Sequence, residues 1–200
     1  MADALEDFRD RDPVVLGIPR GGVIVAAEVA AELGCEMDLV IMRKIGAPGN
    51  PELALGATAG AGRVIWNESL VAKLDVSKDY LEEAAARENE EIERRRRRYL
   101  GDKAAVDVSD RTVLLVDDGL ATGYTALAAA RSARAAGPAL LVLAVPVGPT
   151  GTVALLRGEV DELVCLSTPE PFFAVGQFFA EFAQVTDEEV VAKMRERRAA

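Results

Sequence analysis

Short apolar runs recur along the chain, separated by segments of helical spacing or turn-forming residues. Val14–Ile18 (VVLGI), Met37–Met42 (MDLVIM), Val113–Val116 (VLLV), Ala139–Val145 and Glu162–Leu166 are the runs of strand length. VLLV has the aliphatic composition of a strand buried on both faces of a parallel sheet. Val23–Leu33 alternates apolar and small residues at helical spacing and stops at Gly34. Ala126–Ala136 is alanine-rich and is ended by Gly137-Pro138. Pro146–Pro149 reads as a turn and Thr150–Arg157 as a short helix. The alternation predicts an α/β core.

Between the second and third of these strands the pattern changes. Arg43-Lys44 closes MDLVIM, and two cations at a strand's C-terminal end lie where open α/β sheets bind ligands. Ile45–Glu52 (IGAPGNPE) holds two prolines and two glycines, which predicts a mobile loop. Leu53–Trp66 reads as extended segments broken by glycine, a hairpin with AGAGR at its tip. Ser77–Leu100 is a long charged helix with Ser77 as its N-cap. It carries five consecutive arginines, Arg94–Arg98, but Glu90, Glu91 and Glu93 stand four residues before Arg94, Arg95 and Arg97. That spacing makes favourable helical ion pairs, so the run reads as a solvated or dimer-facing helix.

The C-terminal quarter adds Ser167–Pro171 as a loop and Phe172–Phe179, which concentrates four of the six phenylalanines. These either close the core or present a ring to a flat substrate. Thr186–Arg198, opening Thr-Asp-Glu-Glu, reads as a capped terminal helix.

Composition narrows the chemistry. Two hundred residues support one good core, so the default is a single domain with a small cover or insertion. The formal charge of −10 argues against non-specific nucleic-acid binding. Histidine is absent, which removes Ser-His-Asp and Cys-His nucleophilic systems and most zinc sites. Cys35 and Cys165 sit in apolar settings and read as small buried residues of a reducing compartment. The acidic N-terminal segment is no signal sequence, and no apolar stretch approaches the ~20 residues of a membrane span. The expectation is a cytoplasmic protein with no membrane partner.

The chemistry concentrates in Val113–Thr125, VLLVDDGLATGYT. The strand ends in two carboxylates, Asp117 and Asp118, able to accept hydrogen bonds from sugar hydroxyls. Ala121, Thr122, Gly123, Tyr124 and Thr125 then form a phosphate-sized turn that opens a helix, placing backbone N–H groups toward an anion. A second turn, Pro19–Gly22 (PRGG), lies between the first strand and its helix. Gly21 and Gly22 let the backbone approach a ligand, and with Arg20 their N–H groups would bind a second anion. An ordinary tight turn explains that segment equally well.

VLLVDDGLATGYT resembles the phosphoribosyl pyrophosphate (PRPP) signature of the type I phosphoribosyltransferases. GIPRGG resembles their pyrophosphate loop, MRKIGAPGNPE their strand end and closing loop, and FFAVG the hood segment of purine-type members. The resemblance spans about Val14–Gln184. It implies a mainly parallel five-stranded sheet with helices on both faces, plus a small hood built from about 1–12 and 167–200, with a flexible loop at about 45–52.

Carried over by position, the resemblance gives Asp117 and Asp118 the ribose 2- and 3-hydroxyls. It gives Ala121, Thr122, Gly123, Tyr124 and Thr125 the 5-phosphate, and Arg20, Gly21 and Gly22 the pyrophosphate. Arg43 and Lys44 would stabilise the leaving charge, and Phe172 and Phe173 would stack on the base. Mg²⁺ is implied as cofactor, held mainly by the substrate, with no dedicated protein metal site. A homodimer is also implied.

Two positions depart from the family pattern. Ala121 stands where hypoxanthine- and guanine-type members carry an acid, as in adenine-type members, so the proton acceptor lies elsewhere; Glu52 is one candidate and Glu170 another. Gly119 stands where an apolar residue is more usual, which predicts a looser loop. The implied activity is transfer of 5-phosphoribose from PRPP to a nitrogen acceptor, a nucleobase with purine favoured. The alternatives are a non-catalytic sensor of PRPP or nucleotide on the same fold, or a hydrolase or phosphorylase using the same pocket.

Overall fold

The structure is a computed structural model that describes residues 1–58 and 64–199. In chain order it contains β1 (Pro13–Gly17), α1 (Gly21–Leu33), β2 (Glu36–Leu39), β3 (Arg43–Ala47), β4 (Asn50–Thr58) and β5 (Val64–Trp66). There follow α2 (Glu68–Lys73), α3 (Lys78–Leu100), β6 (Thr112–Val116), α4 (Tyr124–Ala135), β7 (Leu140–Val147), α5 (Thr150–Leu156), β8 (Glu162–Ser167) and α6 (Asp187–Ala199). The chain divides into two compact units, Met1–Val40 with Asp102–Ala200, and Ile41–Gly101.

The first unit is built on a five-stranded sheet of order β2-β1-β6-β7-β8. Every adjacent pair is parallel. Its central strands are wholly buried because helices cover them: Val14, Val15, Leu114, Leu115, Leu143 and Ala144 have no exposure. Ala2–Phe8 forms a 3-10 helix that inserts Leu5 and Phe8 beside α1. Strand β7 runs on through Pro146, where a turn is expected from the sequence. Pro146 lies beyond Ala144, the last residue of β7 paired with β6, so its missing N–H breaks no ladder bond there.

The second unit pairs a three-stranded antiparallel sheet, β3-β4-β5, with α2 and α3. Here two expectations are corrected. Arg43 and Lys44 do not end the strand of MDLVIM: β2 stops at Leu39, and the two cations open β3. Residues 45–52 are not a loop either, since only Pro48 and Gly49 turn between β3 and β4. Pro48 presets the turn's first central position, and Gly49 takes the second at φ 71°. Pro51 falls in the irregular stretch between the Gly46–Ala54 and Ala47–Asn50 pairs, where a missing N–H is tolerated.

The hairpin of β4 and β5 matches expectation, while its AGAGR tip lies outside the described residues. Helix α3 starts where its Ser77 cap predicts, with the hydroxyl accepting from Tyr80 N–H at 3.3 Å. Glu91 takes both Arg94 and Arg95, at 2.7 and 2.8 Å, and their guanidinium hydrogen bonds hold its carboxyl down at about 2. Part of the arginine run is thus neutralised within its own helix. Among the described residues no helix is long and apolar enough to cross a membrane.

Candidate active site

In the first unit the strand order reverses at β1, which has β2 on one side and β6 on the other. Loops leaving the C-terminal ends of two such strands diverge and open a crevice between them. β1 delivers Pro19–Gly22 to that crevice, and β6 delivers Asp117–Gly123. Gly17 pairs with Val116, and Ile18 N–H donates to the Val116 carbonyl at 2.9 Å, so the two loops leave the sheet level with each other.

The loops interlock at their glycines. A Cβ on Gly21 would overlap the Asp118 carboxylate, and one on Gly22 would lie 2.7 Å from Asp117 Oδ1 and 2.8 Å from the Val116 carbonyl oxygen. Neither position has room for a side chain. The peptide between Pro19 and Arg20 is cis.

The acidic pair is held close and partly desolvated. Asp118 N–H donates to Asp117 Oδ1 at 2.9 Å. Burial, and then repulsion from Asp118, pushes the Asp117 carboxyl well above the usual carboxylate range. Burial also raises Asp118, against hydrogen bonds that favour its charge. Two crowded carboxylates of this kind are acceptors that gain from hydroxyl donors or a cation. Among the described residues no cluster of three or more Cys, Asp and Glu side chains could hold a metal. The pair alone offers hard oxygen donors, which fits a divalent cation that keeps water and takes further ligands from a phosphate.

The Ala121–Thr125 turn is anchored from behind. Leu120 is buried and its N–H donates to the Val147 carbonyl at 2.8 Å, while Thr152 Oγ1 donates to the Ala121 carbonyl at 3.0 Å. Gly123 precedes α4 with φ 81°, a conformation side chains disfavour. No side chain caps α4, so its first N–H groups are available to an anion. Gly119 does not loosen the loop, contrary to expectation: a Cβ there would lie 2.6 Å from Val175 Cγ1 and 3.1 Å from the Val147 carbonyl oxygen. It is glycine because the loop is pressed against β7 and the Val175 side chain.

Both loops line one cavity of about 370 Å³. Arg20, Gly21, Asp117, Asp118, Ala121, Thr122, Gly123 and Thr125 are all on its walls. Gly22 lies behind Gly21 against Asp117, and the Tyr124 ring is 75% exposed, which leaves Tyr124 its backbone N–H as a contribution. Phe172 and Phe173 do not line the cavity. Phe172 stacks with Phe178 at 5.1 Å between ring centroids, and Phe173 is 84% exposed. Gln177 Oε1 accepts from Phe173 and Ala174 N–H at 2.8 and 3.1 Å and ties the backbone of this segment. The phenylalanines do not close the core.

Val175 and Phe182 line the cavity instead. Phe182 is tilted against Phe179 and also borders an adjoining cavity of about 330 Å³ that shares Arg20, Gly21 and Asp118. Glu181 lies on that second wall. No periodicity marks Phe182, which sits in irregular backbone three residues beyond the Phe172–Phe179 cluster, so the sequence reading missed it. Arg43, Lys44 and Glu52 belong to the second unit, on β3 and β4. Arg43 Nε donates there to Glu88 Oε2 at 2.6 Å. Cys35 and Cys165 are free and half-buried rather than core residues, and burial pushes both thiols up.

Residues 1–177 match the family model described as the phosphoribosyl transferase domain. The chain belongs to this family. It is 42% identical over 192 residues to a protein of Mycobacterium tuberculosis (strain ATCC 25618 / H37Rv) named "Putative phosphoribosyl transferase Rv0571c", covering 96% of this chain and 43% of that one. The same figures hold for "Putative phosphoribosyl transferase MT0597" of strain CDC 1551 / Oshkosh. The chain therefore spans less than half the length of the curated relatives it matches. The crystal structure of TT1426 from Thermus thermophilus is 43% identical with a TM-score of 0.85, over 98% of this chain and 92% of that one. The phosphoribosyl transferase domain thus carries its acidic pair and both glycine-bearing loops on the five-stranded sheet.

Proposed function

We propose that this domain transfers 5-phosphoribose from PRPP to a nitrogen acceptor and releases pyrophosphate. The observation that carries the reading is the contact of Gly21 and Gly22 with Asp118 and Asp117, by which the Pro19–Gly22 loop and the acidic pair meet at one cavity. Asp117 and Asp118 accept the ribose hydroxyls and favour the positive charge that develops on the ribose. The α4 N-terminus with Thr122 and Thr125 holds the 5-phosphate. The N–H groups of Gly21 and Gly22 and the Arg20 guanidinium hold the pyrophosphate.

In the reaction the bond from the anomeric carbon to the pyrophosphate oxygen breaks, and its electron pair leaves with pyrophosphate. The acceptor nitrogen forms the new bond to that carbon and gives up a proton. Mg²⁺ fits beside Asp117 and Asp118, where it would offset pyrophosphate charge while the substrate supplies most of its ligands. Arg43 and Lys44 carry the remaining leaving-group charge in this reading, and Glu52 takes the proton. Phe182 replaces Phe172 and Phe173 as the aromatic side chain for a flat acceptor, a nucleobase with purine favoured, because it lines both cavities. The unpaired cysteines suit a cytoplasmic setting.

The test is to mix the chain with Mg²⁺, PRPP and a panel of nucleobases and measure pyrophosphate release. Release with one base names the acceptor. Tight PRPP binding with no turnover for any acceptor replaces the transferase reading with that of a sensor. Arg43→Ala is expected to lower turnover, and unchanged turnover removes Arg43 from the leaving-group role.

A further inference from the structure

Helix α6 runs beside α1 in the same direction and is tied to it along its length. Lys193 Nζ lies 3.3 Å from Glu28 Oε1, and Arg197 Nη2 donates to the Ala30 and Cys35 carbonyls at 3.1 and 3.3 Å. Met194 is buried between these ties, and Val190 is buried nearer the start of the helix. At its start, Thr186 Oγ1 and N–H both donate to Glu189 Oε2, and Glu189 N–H returns a bond to Thr186 Oγ1. That reciprocal cap fixes the first helical residue, Asp187. Asp187 Oδ1 stands 3.9 Å from Arg20 Nη1.

Arg20 is the cationic side chain among the residues lining the two cavities, and Asp117, Asp118 and Glu181 are the acidic ones. Its charge is therefore what an incoming anion meets. We propose that Asp187 is a positioning residue that serves as resident counter-anion to Arg20: pyrophosphate must displace it on binding, and it reclaims the guanidinium when pyrophosphate leaves. This rests on the proposed pyrophosphate role of the Pro19–Gly22 loop. The separation suits exchange, because 3.9 Å between two partly exposed groups makes a loose pair rather than a short charge-assisted bond. The α6 N-terminus favours the carboxylate once Arg20 has turned to the ligand. Affinity for pyrophosphate is thereby held down, which speeds product release.

The test is calorimetric titration with sodium pyrophosphate in excess MgCl₂, on the intact chain and on Asp187→Asn, Arg20→Ala and the double variant. Thermal melts establish that each is folded. Asp187→Asn is expected to tighten pyrophosphate binding about two- to five-fold, the range of a partly exposed ion pair. In the Arg20→Ala background the same change is expected to do nothing, while a further variant, Asp187→Glu with Arg20 intact, is expected to keep the original affinity. Weaker or unchanged binding in Asp187→Asn overturns the proposal, as does an equal shift in both backgrounds. If the unaltered chain binds no pyrophosphate, the reading of the loop itself falls, and this inference with it.

Discussion

Gly21 faces the Asp118 carboxylate so closely that no β-carbon can stand between them. Two loops far apart in sequence thereby share one surface, and each fixes the other's place. Gly21→Ala must push the carboxylate aside. Because hydrogen bonds to charged groups contribute ~1.5–3 kcal/mol, PRPP affinity should fall about ten-fold or more. Calorimetry with PRPP and Mg²⁺ checks this, and unchanged affinity would mean that Asp118 does not hold the ligand.

The acidic pair costs the empty protein stability. Folding raises the Asp117 carboxyl, so its contribution is fully present below the ordinary aspartate value of ~4 and is lost as pH rises through the folded value. Asp117→Asn keeps the acceptor for Asp118 N–H and removes the repulsion. At pH 7 the variant should be more stable by about 1 kcal/mol, raising Tm by about 2–4 °C, while losing PRPP binding. Melting curves from pH 4 to 8 should show the gap over the unaltered chain widening with pH. A constant gap would place the gain elsewhere.

Gly123 has a different constraint. Its φ of 81° disfavours side chains, and a Cβ would reach Thr152 Cγ2 at 2.5 Å, behind the Ala121–Thr125 turn. Gly123→Ala should cost about 2 kcal/mol and lower Tm by about 4–8 °C, with weaker PRPP binding. A melting temperature equal to that of the unaltered chain would show that the turn adapts.

Phe182 and Phe173 give opposite expectations. Phe182→Ala should raise the acceptor KM by about ten-fold, since base–aromatic stacking contributes ~1–3 kcal/mol per base. Phe173→Ala, on an 84% exposed ring, should leave it within about two-fold. Steady-state kinetics with the acceptor found in the base panel decides, and the reverse ranking would restore Phe173 as the stacking residue.

Much of the site was legible in sequence because its chemistry is local. An apolar run, two aspartates and a glycine-threonine turn before an alanine-rich helix occupy consecutive positions, so propensity and short-range geometry determine Thr112–Ala135 almost alone. The same holds for the Ser77 cap of α3 and the Thr186–Glu189 cap of α6. The hairpin of β3 and β4 was not legible. Its prolines and glycines signal a loop, and only cross-strand pairing shows that Pro51 falls in a bulge and Pro48-Gly49 in the turn.

The sequence by itself determined the strand-and-helix alternation, the acidic pair and the positions of the two glycine-bearing turns, since each is encoded within a dozen residues. Tertiary structure alone decided that the turns interlock, that Gly119 is required by close packing, and that Phe182 rather than Phe173 lines the cavity. It also brought Asp187 within 3.9 Å of Arg20. These are contacts between segments separated by tens to more than a hundred residues. They follow from strand order and from helices laid side by side, which local propensity does not specify.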